Sequence, residues 1–177
     1  MAVLIEAISV VLRRTAIERA FPGGWSRFID YVPNDTLCAD GELARVGFMS
    51  PSDVKRFIDS LEQMGLQYIR DGVAVDLVVV DQQRGPSVPC EWLEYGHLSI
   101  DEAKNRVAAS RDTASSNDEL ATPNGWTFSG SLSEKFTFVP SQDMHKKLRF
   151  LRKEGNLDVY LNLDNGKEVF LGRTTRM

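Results

Sequence analysis

The first stretch of hydrophobic and polar positions predicts a strand followed by a helix. Residues 3–12 are apolar on both alternating faces, which is typical of a strand covered on both sides. Thr15 and Glu18 then have the spacing of a capping box, in which each side chain bonds a backbone N–H group of the other residue. The sequence therefore predicts a central strand over 3–12 and a helix that begins near Thr15.

The tripeptide Pro22-Gly23-Gly24 interrupts this helix, because proline lacks a backbone donor and glycine is flexible. Glycine turns before a helix can also bind phosphate, but the lysine of a P-loop is missing here, so we interpret the tripeptide as a helix break. A second short helix is expected beyond it, since its apolar residues have helical spacing. These residues are Trp25, Phe28, Ile29 and Val32.

The next segment predicts two hairpins and the most clearly marked helix of the chain. Short strands are expected over 36–39 and 43–49, joined by a turn at Asp40-Gly41. A helix is expected over 51–64, with Ser50 as its cap and Pro51 at its first position. A turn at Asp71-Gly72 and a β-branched strand over 73–80 complete the series.

The order strand, helix, strand, strand, helix, strand is that of a ferredoxin-like βαββαβ sandwich, so we predict the α+β class. A fold of this kind does not imply a function. We predict a ferredoxin-like core over 1–98, a helix and polar linker over 99–125, and a β-rich extension over 126–177. The three parts are expected to form one compact unit.

The C-terminal half predicts further elements. Ser99 and Glu102 again have capping-box spacing, which predicts a helix through about Ser110. Short strands are expected near 126–128 and 135–139, and a helix over 142–154. Asn165-Gly166 lies between alternating apolar residues and predicts a closing hairpin.

Composition narrows the class of protein. The chain has 177 residues, of which 42% are hydrophobic and 26% charged, and this is ordinary for a soluble globular protein. Cys38 and Cys90 are the only cysteines and have no metal-ligand spacing, so neither a metal nor a cofactor is expected. The first residues lack a basic leader and no apolar run is long enough for a membrane span, so we expect a cytoplasmic protein without a membrane partner.

Charge is unevenly distributed along the chain. Residues 1–144 carry 13 Lys or Arg against 21 Asp or Glu, whereas residues 145–177 carry 8 against 4. The predicted helix over 144–153 is strongly basic, which raises the question of nucleic acid. A solvated helix docked on an acidic body explains the same residues, so we do not expect a nucleic-acid partner.

The segment 81–93 is the candidate binding loop. Its prolines fix the backbone and its tryptophan can anchor it, and a stiff loop loses little conformational entropy when it binds a partner. The same residues also fit a plain crossover between strands. We interpret Cys90 as a small buried hydrophobic residue instead of a nucleophile. The proposed binding residues are Asp81, Arg84, Gly85, Pro86, Pro89, Cys90 and Trp92.

A polar cluster is the second candidate site. In the predicted sheet Glu6, Arg45 and Asp76 fall on neighbouring strands, where close charges shift one another's protonation. One interpretation is a satisfied ion pair on the sheet. The other is a small enzyme that uses Glu6, Asp76 or Asp81 as acid or base in a cleft beneath the C-terminal segment.

The face of the predicted sheet away from the helices is apolar and needs a cover. We expect residues 120–177 to cover it in part, and a second copy of the chain, as a homodimer, is the alternative. The residues expected on this face are Leu4, Ile8, Val10, Val78 and Val80.

The segments "AVDLVVVDQQRGPSVPCEWLEYG" and "RVGFMSPSDV" resemble small bacterial proteins of unassigned function, through a VVVDQxRGPxxPCxWLE-type pattern. The resemblance covers about the first hundred residues and implies a bacterial cytoplasmic origin without any site. The sequence therefore favours a non-catalytic binding protein that uses the 81–93 loop to contact another protein or a second copy.

Overall fold

The computed structural model describes residues 1–102, 105–117, 119–135, 146, 148–155, 157–164 and 166–172. The chain is a mixed α+β protein that divides into two compact units, Met1–Trp126 and Thr127–Met177. Each unit has its own sheet or sheets.

The first unit contains three helices and eleven strands among its described residues. The helices are α1 (Arg14–Ala20), α2 (Gly24–Tyr31) and α3 (Pro51–Gln63). The first strands are β1 (Ala2–Ile5), β2 (Ile8–Arg13), β3 (Cys38–Ala39), β4 (Leu43–Phe48), β5 (Ile69–Arg70) and β6 (Val73–Ala74). The remaining strands are β7 (Leu77–Asp81), β8 (Gly85–Pro86), β9 (Leu93–Ser99), β10 (Arg106–Asp112) and β11 (Leu120–Ala121).

A five-stranded sheet in the order β3-β4-β2-β7-β8 forms the centre of this unit, and all its neighbouring strands are antiparallel. Val10, Val46 and Val79 lie side by side across three of its strands and belong to the core that the helices cover. Residues directly opposite each other share a face of a sheet, so Val11, Arg45 and Val78 lie on the other face.

The predicted strand over 3–12 is wrong in one respect, because it is divided at Ala7. β1 belongs to a second sheet in the order β11-β1-β10-β9, whereas β2 lies in the five-stranded sheet. Ala7 has a φ of 51°, a left-handed backbone that breaks the extended chain. Two strands in two sheets therefore replace one continuous strand.

Because the strand is divided at Ala7, the predicted set of residues on the apolar face is wrong in part. Ile8 and Val10 face the helical core and Leu4 lies in the second sheet, while Val78 and Val80 are fully buried on the far face. β1 lies against β3 and β4, and β9 lies against β8. The second sheet thus covers the far face, so this face offers no surface to a second copy.

Two of the three helix signals in the first half are confirmed. α3 has the predicted cap, with the Ser50 side chain accepting a hydrogen bond from the backbone N–H of Asp53 at 3.2 Å. α1 ends at Ala20 and α2 begins at Gly24, so the break at Pro22 is also confirmed. The capping box at Thr15 is wrong, because α1 begins one residue earlier and has no side-chain cap.

The three short-turn predictions agree with the structure. Asp40-Gly41 joins β3 to β4, and Asp71-Gly72 joins β5 to β6. In the second unit an antiparallel hairpin surrounds Gly166, formed by β13 (Leu157–Asn162) and β14 (Glu168–Gly172). Asn165 itself lies outside the described residues.

The helix predicted from Ser99 to Ser110 is wrong. β10 begins at Arg106 within this range and pairs with both β1 and β9. Its Val107, Ala108 and Ala109 are buried between these neighbours. Long-range pairing has therefore overridden a local helix signal, which is a weak determinant by itself.

The helix predicted over 142–154 is also wrong over Leu148–Glu154. β12 (Leu148–Glu154) forms a three-stranded sheet with β13 and β14. Most of the rest of that prediction, residues 142–145 and 147, lies outside the described residues. A short helix, α4 (Leu132–Lys135), stands at the beginning of the strand predicted over 135–139, and residues 126–128 are not a strand.

Candidate functional site

The 81–93 loop begins as a tight hairpin between β7 and β8. Asp81 pairs with Gly85 across the turn. The Asp81 carboxylate accepts hydrogen bonds from the backbone N–H groups of Gln83 at 2.9 Å and Arg84 at 3.0 Å. Aspartate commonly closes turns in this way, so this carboxylate has a structural role.

The middle of the loop is attached to the body at several points. The N–H of Ser87 donates to the carbonyl of Val79 at 2.9 Å, and the carbonyl of Pro89 accepts from Ala74 at 2.9 Å. The hydroxyl groups of Ser87 and Tyr68 lie 3.1 Å apart. The loop is thus held along its length. Its exposed residues are Arg84, Ser87, Pro89 and Glu91.

Trp92 anchors the end of the loop. Its side chain is buried, and the guanidinium of Arg13 lies 5.6 Å from the ring centroid. The carbonyl of Trp92 accepts a hydrogen bond from Thr113 at 3.1 Å. Trp92 therefore fixes the loop to the body and does not present its ring to a ligand.

Tyr95 and Gly85 form a close contact beneath the turn. The Tyr95 hydroxyl donates to the carbonyl of Gln82 at 2.5 Å. Gly85 has a φ of +78°, and a Cβ atom there would lie 2.9 Å from Cδ1 of the Tyr95 ring. Burial, with a contribution from the charge of Asp81, raises the pKa of Tyr95 to about 12. The phenol therefore stays a hydrogen-bond donor at neutral pH.

Glu6 and Ala7 form a corner between the two sheets, which we call the Glu6–Ala7 corner. The N–H of Ala7 donates to the side-chain oxygen of Gln82 at 2.8 Å, and the N–H of Gln82 donates to the carbonyl of Ala7 at 2.9 Å. The Glu6 carboxylate accepts from the indole N–H of Trp126 at 3.2 Å. The corner thus joins the hairpin turn to the end of the first unit.

Arg45 supports this corner from the five-stranded sheet. It is 2% exposed and donates to the carbonyl of Glu6 at 2.7 Å, the hydroxyl of Ser9 at 2.8 Å and the carbonyl of Thr36 at 3.2 Å. Burial lowers the pKa of Arg45, and the neighbouring Cys38 and Glu6 oppose that shift. Gly47 leaves room for the guanidinium, since a Cβ atom there would lie 2.5 Å from Nη2.

The structure separates Asp76 from the predicted polar cluster. Its carboxylate accepts from the guanidinium of Arg19 and from the backbone N–H of Gln67, both at 2.8 Å. Leu77 pairs with Leu12, near the last residue of β2. Asp76, which precedes Leu77, therefore lies at that end of β2, whereas Glu6 precedes the first residue of β2. The prediction that Asp76 joins Glu6 and Arg45 is wrong, whereas the proximity of Glu6 and Arg45 is confirmed.

Neither of two surface cavities is lined by a candidate carboxylate. One, of about 240 Å³, lies over Gly96 in the second sheet beside Glu94 and Arg111, whose side chains form an ion pair. The other, of about 590 Å³, lies between α2 and α3 and is lined by Tyr31, Phe57 and other residues. Glu6, Asp76 and Asp81 line neither cavity.

Among the described residues no three His, Cys, Asp or Glu side chains are grouped closely enough to hold a metal ion. No helix in the part of the chain that the structure describes has the length and apolar character needed to cross a membrane.

Cys90 is expected to react slowly with alkylating reagents. Burial raises the pKa of its thiol from 9.0 to about 11, which keeps it protonated at neutral pH. Because only the thiolate reacts, alkylation by iodoacetamide at pH 8 should be about a hundredfold slower in the folded protein than in denaturant. The rate should rise as the pH approaches 11.

The measurement uses the Cys38→Ala variant, in which Cys90 is the remaining thiol. Mass spectrometry at a series of pH values gives the rate of alkylation. A rate that reaches its plateau near neutral pH would show an activated thiolate and would contradict the structural role of Cys90.

Sequence analysis missed two residues of this site, Gln82 and Tyr95. Gln82 lies in a polar turn where nothing in its neighbours distinguishes it from Gln83. Tyr95 was hidden because its contact with Gly85 depends on two sheets meeting. In comparisons with protein-family models, curated proteins and solved structures, the chain matches none.

Proposed function

We propose that this protein is a non-catalytic binding protein that contacts a second copy of itself, or another protein, through the 81–93 loop. The observation that supports this is that every candidate carboxylate already accepts a hydrogen bond within the fold. Glu6 accepts from Trp126, Asp76 from Arg19 and Gln67, and Asp81 from its own turn.

The alternative, a small enzyme that uses these carboxylates as acid or base, has less support. A general acid or base must lie within hydrogen-bond reach of a bound substrate. None of the three lines a cavity described above, and each carboxylate already accepts hydrogen bonds within the fold. The binding hypothesis needs no such cleft.

The loop has the properties of a preorganised contact surface. Hydrogen bonds to Val79, Ala74 and Tyr68 hold it in one conformation, so its ordering is complete before a partner arrives. Association loses less entropy when the contacting segment is already rigid. We assign the contact itself to Arg84, Pro86 and Pro89, and a supporting role to Cys90 and Trp92.

The charges of the loop favour a second copy as the partner. Arg84 and Glu91 are both exposed and carry opposite charges toward opposite ends of the loop. In a two-fold dimer each surface meets itself, so residue i contacts residue j of the partner and j contacts i. Arg84 of one protomer would then lie opposite the partner's Glu91, and the reverse.

Charge reversal tests this dimer. Light scattering after size-exclusion chromatography should give a mass that rises toward a dimer with concentration. Arg84→Glu and Glu91→Arg should each abolish the rise, because like charges then meet twice. Mixing the two variants should restore association, since opposite charges meet again in the mixed pair. Arg70→Glu, on the exposed strand β5, is the control and should still associate.

Two outcomes would contradict the proposed dimer. A strictly monomeric wild type at high concentration would exclude the second copy as the partner. A dimer that both variants leave intact would show that another surface forms it.

We also infer that part of the first unit has ferredoxin-like topology. The strand order β3-β4-β2-β7 and the antiparallel neighbours support this, with helices between β2 and β3 and between β4 and β7. The edge strand β8 and the second sheet are additions to that pattern. An experimental structure of residues 1–126 would test the strand order.

A further inference from the structure

A segment near the end of the first unit runs beside β1 and ends at the Glu6–Ala7 corner. We call its described residues, 113–117 and 119–126, the strap. The amino terminus donates to the Ser115 hydroxyl at 2.9 Å, and the N–H of Ala2 donates to the carbonyl of Glu119 at 2.7 Å. β11 pairs with β1 in parallel. At its end the Trp126 indole donates to Glu6.

The loop and the strap are attached to neighbouring peptide units. Gln82 bonds both the N–H and the carbonyl of Ala7, while Trp126 bonds the side chain of Glu6, the preceding residue. Arg45 holds the Glu6 carbonyl between these two attachments. No other group is needed to connect the turn with Trp126.

The backbone at the corner is held in an unfavourable conformation at Ala7. A left-handed φ is unfavourable for alanine, and such conformations persist only where surrounding contacts impose them. If the Gln82 bonds break, Ala7 is free to return to an extended φ. That rotation changes the direction of Glu6 relative to β2 and therefore moves the acceptor of the Trp126 indole.

We propose that the Glu6–Ala7 corner couples the 81–93 loop to the strap, so that a partner bound at the loop alters the attachment of Trp126. Linkage requires the reverse effect, in which release of Trp126 changes the affinity of the loop for its partner. The consequence for binding rests on the proposed function. The coupling between Gln82 and Trp126 does not, and it can be measured without a partner.

A double-mutant cycle on the full chain tests the coupling. The two changes are Gln82→Met, which removes the acceptor for Ala7, and Trp126→Phe, which removes the donor to Glu6. If the two sites were independent, the effect of the double variant on the unfolding equilibrium constant would equal the product of the two single effects. We expect it to differ from that product by about threefold or more, as for residues in one network. Urea titration followed by fluorescence reports on the first unit, because Trp25, Trp92 and Trp126 all lie in it.

The matched control pairs Gln82→Met with Trp25→Phe. Trp25 stacks on Phe28 and Arg14 beside the helical core and touches no residue of the corner in the contacts described above. Its effect should multiply with that of Gln82→Met. If the Trp126 cycle is equally multiplicative, the coupling is overturned.

A second measurement uses the folded protein. It tests the coupling even if a variant of the double-mutant cycle does not unfold reversibly. In a Trp25→Phe, Trp92→Phe protein, Trp126 is the remaining fluorophore. Gln82→Met should increase the quenching of Trp126 by acrylamide, whereas Ser87→Ala, a loop change away from the corner, should not. Unchanged quenching in Gln82→Met would contradict the proposal.

The results separate this inference from the proposed dimer. Coupling without association would support the proposed role of the Glu6–Ala7 corner and would contradict a second copy as the partner of the loop. Association without coupling would leave the loop as a binding surface that acts independently of the strap.

Discussion

Replacing Arg45 with alanine is expected to lower the free energy of unfolding of the first unit by about 3 kcal/mol. The guanidinium is 2% exposed and its three described hydrogen bonds end on the carbonyls of Glu6 and Thr36 and the hydroxyl of Ser9. Without it these acceptors stay buried with fewer partners, and a cavity is added. A buried acceptor that loses its donor costs more than the donor contributed in net terms.

Urea unfolding measures this effect, and Arg56→Ala is the matched control. Arg56 bonds the carboxylate of Asp53, and its side chain is 77% exposed. A surface pair of this kind contributes between zero and about 1 kcal/mol. A loss for Arg45→Ala no larger than that for Arg56→Ala would mean that Arg45 is not the support of the Glu6–Ala7 corner.

Arg45→Lys should recover little of the loss. Lysine has a single ammonium group in place of the planar fork of guanidinium donors, so it cannot reach three acceptors in three directions. Recovery to the wild-type stability would indicate that the charge of Arg45 matters and its hydrogen-bond geometry does not.

The parts of the fold that were predictable from sequence depend on local contacts. α3 has its cap, its first-turn proline and its apolar stripe within one stretch of the chain, and its bounds agree with the prediction to within one residue. The turns at Asp40-Gly41 and Asp71-Gly72 are local in the same sense. These signals are short-range because capping and turn formation satisfy backbone groups only a few residues apart.

The failures concern segments whose conformation is decided by distant partners. β10 carries alanines and follows the capping-box spacing of Ser99 and Glu102, which favour a helix, yet it lies between β1 and β9. β12 has helical spacing of its leucines, yet it pairs with β13. In both cases sheet pairing supplies contacts that a single-segment pattern does not contain.

The candidate site was predictable only in part. Glu6 and Arg45 were placed together because neighbouring strands bring them together, but the contact joins the guanidinium to the Glu6 carbonyl. The left-handed Ala7 had no signal, since alanine rarely adopts that conformation. Once Ala7 divides the strand, Ile8 and Val10 turn to the helical face, whereas Val78 and Val80 keep the predicted far face.

Replacing Gly85 with alanine is expected to destabilise the first unit by about 3 kcal/mol and to displace the hairpin turn. Two effects add at this position. A φ of +78° is unfavourable for any residue with a Cβ atom, and that atom would lie 2.9 Å from the Tyr95 ring. The ring cannot easily retreat, because its hydroxyl is bonded to the carbonyl of Gln82 at 2.5 Å.

Gly72→Ala separates the two effects. Gly72 has nearly the same backbone, with a φ of +79°, but an added Cβ atom would meet no atom within 4 Å. Its substitution should therefore cost only the backbone part, about 1 kcal/mol. The difference between the two variants in urea unfolding measures the contact with Tyr95.

A Tyr95→Ala background tests the ring contact directly. There Gly85→Ala should cost about as much as Gly72→Ala, because the ring that it would contact is gone. In the wild-type background the displaced turn should also weaken self-association, since the Tyr95 contact fixes the segment that carries Arg84. Equal effects of Gly85→Ala and Gly72→Ala on stability would mean that Tyr95 does not hold the turn, and the loop would then lose the rigidity on which its proposed binding role depends.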